Sequence, residues 1–157
     1  MDDASKLKER LIKHISGGEA FMPIDEMLKI ITFDKLGERP NNLPYSFYEL
    51  FNHIRFTQKD ILEYCTLSAY KAPKWPDDYW PHQKVPTSIL AWGDLKNSYF
   101  EERTMFIKHI ENNDLLKRMN KETDHTLMRE VLLVIEHTAY HSGQLLIILR
   151  QLGLYNT

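Results

Sequence analysis

The sequence lacks several features that would place it in a special class of protein. It has one cysteine among 157 residues, Cys65, so no internal disulfide can form and a reducing, cytoplasmic setting is expected. No run approaches the roughly 18 apolar residues of a membrane span, and the first ten residues lack the apolar stretch of a signal peptide. We therefore expect a chain without a membrane segment or a leader.

An excess of charge of one sign is also missing. The 20 Lys and Arg residues nearly balance the 22 Asp and Glu residues, giving a net charge of −2, and both signs are mixed along the chain. Without a basic block or stripe, nucleic acid is not an expected partner. The composition, 43% hydrophobic and 27% charged, is that of an ordinary globular protein. The length suits a single domain over residues 1–157.

Helical periodicity is what the sequence does have, and no stretch alternates for long as a strand would. Helices are predicted at residues 4–15, 24–33, 47–64, 88–110 and 126–152. Irregular connections are predicted at residues 38–44, 66–86 and 112–124. The clearest helix start is a capping box, in which the Ser46 hydroxyl and the Glu49 carboxylate each satisfy the other's backbone N–H. The pattern predicts an all-α four-helix bundle whose first helix is broken.

Three histidines lie at the inner edges of two of these helices. His141 is part of the apolar stripe of the last helix, and His137 lies beside that stripe one turn earlier. His53 flanks the stripe of the second long helix. Imidazoles at i and i+4 can chelate one ion, and a third nitrogen would leave a coordination position open on Zn²⁺ or Ni²⁺. The alternative is that each is a core histidine hydrogen-bonded to a Thr or Glu on a facing helix.

Other side chains are placed by helical spacing, or by the loop that joins the helices, where they can serve such a site. Candidates to orient a ligand by a hydrogen bond are Glu49, Asp60, Glu136 and Gln144. Candidates for a pocket wall are Trp75, Tyr79 and Trp80. The simpler alternatives are that the polar residues are solvated or cap helices, and that the loop only packs on the bundle.

The remaining reactive residues are expected to stand apart from this site. Cys65 lies twelve residues after His53, about 18 Å along a helix, and is predicted to be a buried structural thiol. The histidines at loops or helix ends are predicted to be surface residues, and these are His14, His82, His109 and His125.

Two segments give the chain a family resemblance. LPYSFYELFNHIRFTQKDIL contains His53, and EHTAYHSGQLLIILRQLG contains His137 and His141 followed by Gly143-Gln144. In this order they resemble the DinB-like superfamily, metal-binding four-helix bundles related to bacterial damage-inducible proteins. WPDDYWP and the region of Trp92 are similar as well, so the resemblance covers most of the chain. Ser142 departs from the pattern, since many relatives have a larger residue such as Arg there, but we infer no functional change from it.

The resemblance implies both a fold and a chemistry. It implies an up-down-down-up bundle, often a homodimer, in which His53, His137 and His141 bind a divalent metal, commonly zinc or nickel. Characterised relatives include transferases and isomerases that use a low-molecular-weight thiol such as bacillithiol, mycothiol or glutathione. Family membership alone does not fix a reaction.

Two functions of different class follow as hypotheses. The first is a metal-dependent enzyme acting on a small-molecule substrate, as a thiol S-transferase, an isomerase or a hydrolase that uses metal-bound water. The second is a non-catalytic metal-binding bundle that acts through a partner in a stress response. A metal-free binding protein is a third, weaker alternative.

Overall fold

The computed structural model describes residues 2–119 and 123–156, and these are all-helical apart from turns and connections. The five α-helices are α1 (Asp3–Ser16), α2 (Ile24–Ile30), α3 (Phe47–Thr66), α4 (Ile89–Asn112) and α5 (Leu127–Gln151). The described residues contain no strand, only an isolated β-bridge between Arg118 and Thr126. The all-α prediction is confirmed. Of the predicted connection at residues 112–124, residues 120–122 lie outside the described residues, as do the two ends of the proposed 1–157 domain.

Side-chain caps explain why the long helices begin where they do. The capping box at the start of α3 is present, with Ser46 Oγ accepting from Glu49 N and Glu49 Oε2 accepting from Ser46 N. Ser88 and Thr126 cap α4 and α5 by accepting a backbone N–H three residues later. Each cap satisfies a donor that the first turn of a helix leaves unpaired.

The break in the first helix has a backbone cause. Gly17 ends α1 with a φ of 81°, a conformation that side chains disfavour. A Cβ on Gly17 would also come within 3.1 Å of the Phe21 ring and 3.2 Å of the Pro23 Cα. Pro23 then precedes α2, which ends at Ile30, earlier than predicted, because residues 33–35 form a separate 3-10 turn.

The hydrophobic core is divided into two clusters along the helices. α3 packs against α4 and α5, α1 packs against α4 and α5, and α2 packs against α5. One cluster joins α2 to the starts of α3 and α4 and to the end of α5. The other joins α1 to the ends of α3 and α4 and to the start of α5. Between the two clusters, α3 and α5 carry a set of buried polar side chains: His53, Thr57, Gln58, Thr138 and His141.

This polar layer destabilises the fold unless its groups are hydrogen-bonded, because a buried polar group without a partner costs free energy. Gln58 has one, since its Nε2 donates to the Tyr99 carbonyl of α4 at 2.9 Å. Thr57 does not: its hydroxyl is buried without a hydrogen-bond partner among the described residues. The polar layer is therefore the part of the core that is suited to hold a ligand.

The longest helix, α5, also bears on the expectation that no membrane segment is present. By length and composition α5 is apolar enough to cross a membrane, so the sequence-based statement that no segment approaches a span is too strong for this helix. The core helix of a water-soluble protein passes the same test, and α5 packs against α1, α2 and α3. Its apolar character is weak evidence for a membrane.

Candidate metal centre

Three imidazoles from α3 and α5 meet in the polar layer. The ring centroids of His137 and His141 are 4.4 Å apart, and those of His53 lie 4.9 Å from His137 and 4.8 Å from His141. Nε2 of His53 and Nε2 of His137 are 3.1 Å apart, and one nitrogen from each ring lies within 4.8 Å of the other two. His53 and His141 are buried and His137 is partly buried. We call these three residues the triad.

Two hydrogen bonds fix which nitrogen faces the centre. The Nδ1–H of His53 donates to the backbone carbonyl of Tyr79 at 3.0 Å, and the Nδ1–H of His141 donates to Gln144 Oε1 at 2.6 Å. A neutral imidazole that donates from Nδ1 keeps its lone pair on Nε2. Both rings are therefore held in the tautomer whose Nε2 can bind a cation, which is the usual role of the groups around a metal-binding histidine.

Burial keeps the triad in the neutral state that metal binding requires. It lowers the pKa of His137 to about 3, and the neighbouring His141 and His53 add to this effect. Burial likewise lowers the pKa of His53 and of His141, although the Tyr79 carbonyl and the Gln144 side chain partly oppose it. At pH 7 all three rings are neutral, so three lone pairs are available.

The donor set fits a divalent transition metal. With metal–nitrogen bonds of about 2.0–2.1 Å at tetrahedral angles, two nitrogens lie about 3.3 Å apart, close to the separation found between His53 and His137. Thr57 lies one turn after His53, and its unpartnered hydroxyl is a group that a ligand or water at this site can satisfy. The alternative was that each histidine is a core residue hydrogen-bonded to a Thr or Glu on a facing helix. Among the described residues, no member of the triad makes a hydrogen bond of this kind.

The loop between α3 and α4 covers one side of the triad. The Trp80 ring stacks on the His53 ring at 4.2 Å with an interplanar angle of 3°, while the Trp75 and Tyr79 rings lie 6.5 Å from it. The structure thus places all three candidate wall residues beside His53. Sequence reasoning missed Tyr140, whose ring is 4.9 Å from that of His141. Its position directly before His141 was the available signal.

The four polar candidates separate into two kinds. Gln144 contacts His141 directly. Asp60 acts on His53 indirectly, through Tyr79. It accepts a hydrogen bond from the Tyr79 hydroxyl at 2.6 Å, and the Tyr79 carbonyl accepts one from His53. Sequence reasoning did not identify Tyr70, whose hydroxyl donates to the other oxygen of Asp60 at 2.7 Å.

Glu49 and Glu136 do not approach the triad in the described contacts, which corrects their proposed role. Glu49 is engaged by the α3 cap and by Arg39. Burial alone would raise the pKa of Glu49, but hydrogen bonds from Arg39 and Ser46 hold it below its usual value. Glu136 is exposed, since its position on α5 faces away from the core.

The other reactive residues stand apart from the triad. Cys65 is partly buried, and burial raises the pKa of its thiol to about 12, so it stays protonated at neutral pH. His14 and His82 are exposed as predicted. The same prediction is wrong for His109 and His125, which are partly buried. Nε2 of His109 is enclosed without a hydrogen-bond partner in the part of the chain that the structure describes, and Nδ1 of His125 lies 3.3 Å from the Tyr64 hydroxyl.

The low pKa of His137 predicts acid sensitivity in protein freed of metal by a chelator. Between pH 6.5 and about 3 the unfolded chain protonates this ring and the folded chain does not, so stability falls as the pH falls. From pH 7 to pH 5 the free energy of unfolding should drop by about 2 kcal/mol from this residue. Urea unfolding at both pH values measures it, with His137→Gln as the reference that lacks the titrating ring. Equal pH dependence in the parent and the variant would contradict the assignment.

A model of the DinB family matches residues 19–156, most of the chain and all three members of the triad. No curated protein and no solved structure matches the chain.

Proposed function

The chain belongs to the DinB family. We propose that it is a divalent-metal-dependent enzyme whose metal is bound by His53, His137 and His141. We propose that it uses a low-molecular-weight thiol and acts on a small-molecule substrate, by S-transfer or isomerisation. The observation that carries this proposal is the triad itself: three neutral imidazoles, two of them with Nδ1 held by a hydrogen bond, each offer a nitrogen within 4.8 Å of the other two.

The donor chemistry favours zinc or nickel. Neutral imidazole suits both ions, and the triad is completed by no carboxylate or thiolate within the described residues. Three protein donors leave a coordination position for an exchangeable ligand, which is the arrangement of catalytic rather than structural zinc sites. When bound, the metal lowers the pKa of a thiol or water and so supplies a nucleophile at neutral pH.

The protein's own residues would prepare the site for this chemistry. The Tyr79 carbonyl and Gln144 hold two rings in the metal-binding tautomer. Trp80 covers one face of His53 and keeps water from it. The Thr57 hydroxyl, buried and unpartnered one turn from His53, can hydrogen-bond to a ligand held beside the triad. No described side chain is needed as a nucleophile, since the thiol is brought by the cofactor.

The contacts also support a proposed architecture. The starts of α3 and α4 share one core cluster with the end of α5, and their ends share the other cluster with its start. α3 and α4 therefore run in the same direction and α5 in the opposite one. With α1 and α2 acting as one broken helix, we propose an up-down-down-up four-helix bundle. Assembly as a homodimer and a cytoplasmic location remain proposals drawn from the family resemblance and the single cysteine.

The test is metal analysis followed by a thiol titration. Untagged protein purified without a chelator should contain about one equivalent of zinc or nickel per chain by plasma mass spectrometry. After replacement by Co²⁺, a site with an open position should change its visible spectrum when a thiol such as glutathione is added. The alternative is a non-catalytic metal-binding protein of a stress response. It would be supported if no thiol changed the Co²⁺ spectrum and if removal of the metal greatly lowered the melting temperature. No bound metal would end both proposals.

A further inference from the structure

Aromatic rings from the α3–α4 loop and from α5 lie beside the triad. Tyr45, Trp80 and His53 form one parallel stack, with centroids 6.2 Å and 4.2 Å apart and interplanar angles of 18° and 3°. Trp80 is thus enclosed between two rings and is fixed as one wall. Tyr140 meets the edge of His141 at 4.9 Å, and Trp75 lies at 6.5 Å from His53.

Two of these rings face solvent to an unusual degree. Trp75 and Tyr140 are each 66% exposed, although both are large apolar side chains. Single exposed aromatics are ordinary on a protein surface, but these two border the same three histidines from different elements, the α3–α4 loop and α5. Aromatic walls around a few polar groups that fix orientation are typical of small-molecule sites. The uncovered ring faces therefore point to a ligand rather than to core packing.

The charges around the site indicate which charge a ligand should carry. A bound dication beside neutral imidazoles favours an anionic donor atom and repels a cationic group. Arg39 is paired with Glu49, one turn before His53, and Lys74, next to Trp75 in the chain, is paired with Asp77. Contact with the aromatic rings is therefore the interaction that we expect to discriminate among ligands that share an anionic head.

We propose that the site selects small molecules with a flat aromatic or conjugated body, held against the Trp75 and Tyr140 rings, and an anionic head directed at the triad. This inference rests on the proposed function, because the head requires the metal. It adds the class of substrate: a planar, unsaturated compound in preference to an aliphatic one of the same head group.

The test compares two hydroxamates that share a metal-binding head. Benzohydroxamate carries a phenyl ring and acetohydroxamate a methyl group. Their dissociation constants are measured on the Co²⁺-loaded protein from the visible spectrum, each corrected for its affinity for free Co²⁺. The parent should prefer benzohydroxamate by about five- to tenfold or more, the size expected of one or two ring contacts. Tyr140→Ala and Trp75→Ala should each reduce that preference while still binding Co²⁺.

Two matched variants guard against an indirect effect. Tyr140→Phe keeps the ring and should keep the preference. Phe33→Ala removes another exposed aromatic ring, 42% accessible and without a described contact to the triad, and should leave the preference unchanged. The Trp75 and Tyr140 rings lie outside the core, so replacing either one by alanine should not unfold the chain.

The outcomes separate the two proposals. Binding of Co²⁺ and of both hydroxamates with no preference for the phenyl group overturns this inference and leaves the metal site standing. A preference that survives in both Tyr140→Ala and Trp75→Ala also overturns it. Failure to bind Co²⁺ overturns the proposed function, and this inference with it.

Discussion

Alanine in place of His141 is expected to abolish stoichiometric metal binding and leave the helical fold intact. The change removes one of three nitrogens that meet within 4.8 Å, and a two-histidine remnant has too few donors to hold a catalytic metal tightly. Loss of a group that only orients a ligand costs about 10–100-fold in metal affinity, so loss of a ligand should cost more than about 100-fold. Metal content by plasma mass spectrometry and affinity by competition with a chromophoric chelator measure the effect.

The fold should tolerate this change. His141 lies in the polar layer between the two core clusters, so alanine removes a buried polar ring and disturbs neither cluster. Helix content by circular dichroism should match that of the parent. His14→Ala is the control, because His14 is exposed on α1, and its metal content should be unchanged. Full occupancy in His141→Ala, or equal loss in His14→Ala, would refute the triad as the metal site.

The helices could be predicted from the sequence because their signals are local. Ser46 and Glu49 are three residues apart, and the capping box that they form needs no other part of the chain. The stop at Gly17 and the restart after Pro23 are equally local. The face of α5 that carries His137 and His141 follows from its apolar stripe, so their inward position could be predicted as well.

The surroundings of the triad could not be predicted in the same way. The Tyr79 carbonyl that orients His53 lies 26 residues later in the chain, in an irregular loop whose path no periodicity describes. The stack of Tyr45, Trp80 and His53 joins three elements that only the folded chain brings together. Such contacts depend on tertiary packing, which the pattern of one sequence does not encode locally.

Helical spacing also fails to give the direction of a side chain. Glu49 and Thr57 both lie one turn from His53, yet the Glu49 carboxylate turns back to the N–H of Ser46, and Arg39 binds it there. A carboxylate at the third position of a helix can accept the unpaired N–H of the cap residue. Here Glu49 makes that hydrogen bond and makes none with His53 one turn later. A capping box thus accounts for Glu49 before any role at the triad does.

Asp60 is the residue through which the loop holds His53. Its two carboxylate oxygens accept separate hydroxyls, from Tyr70 at 2.7 Å and from Tyr79 at 2.6 Å. The Tyr79 carbonyl in turn accepts the Nδ1–H of His53. Burial and the Asp60 carboxylate raise the pKa of both tyrosines well above the usual value, so both hydroxyls remain donors at any physiological pH. The buried charge therefore fixes the segment that sets the His53 tautomer.

Asp60→Asn is accordingly expected to weaken metal binding by about 10–100-fold without removing any ligand. The amide keeps the shape of the carboxylate but is neutral, and its NH₂ group makes one of the two hydroxyls accept instead of donate. Both contacts therefore lose the strength of a charged acceptor, and the Tyr79 carbonyl is less well held. Tyr79→Phe, which keeps the carbonyl and removes one anchoring hydroxyl, should change the affinity in the same direction by less. The matched control is Glu136→Gln, which removes an exposed carboxylate next to His137 in the chain and should shift the affinity by no more than about twofold. If Asp60→Asn and Glu136→Gln weaken the metal equally, the effect of Asp60 is one of charge at a distance, and the path through Tyr79 is wrong.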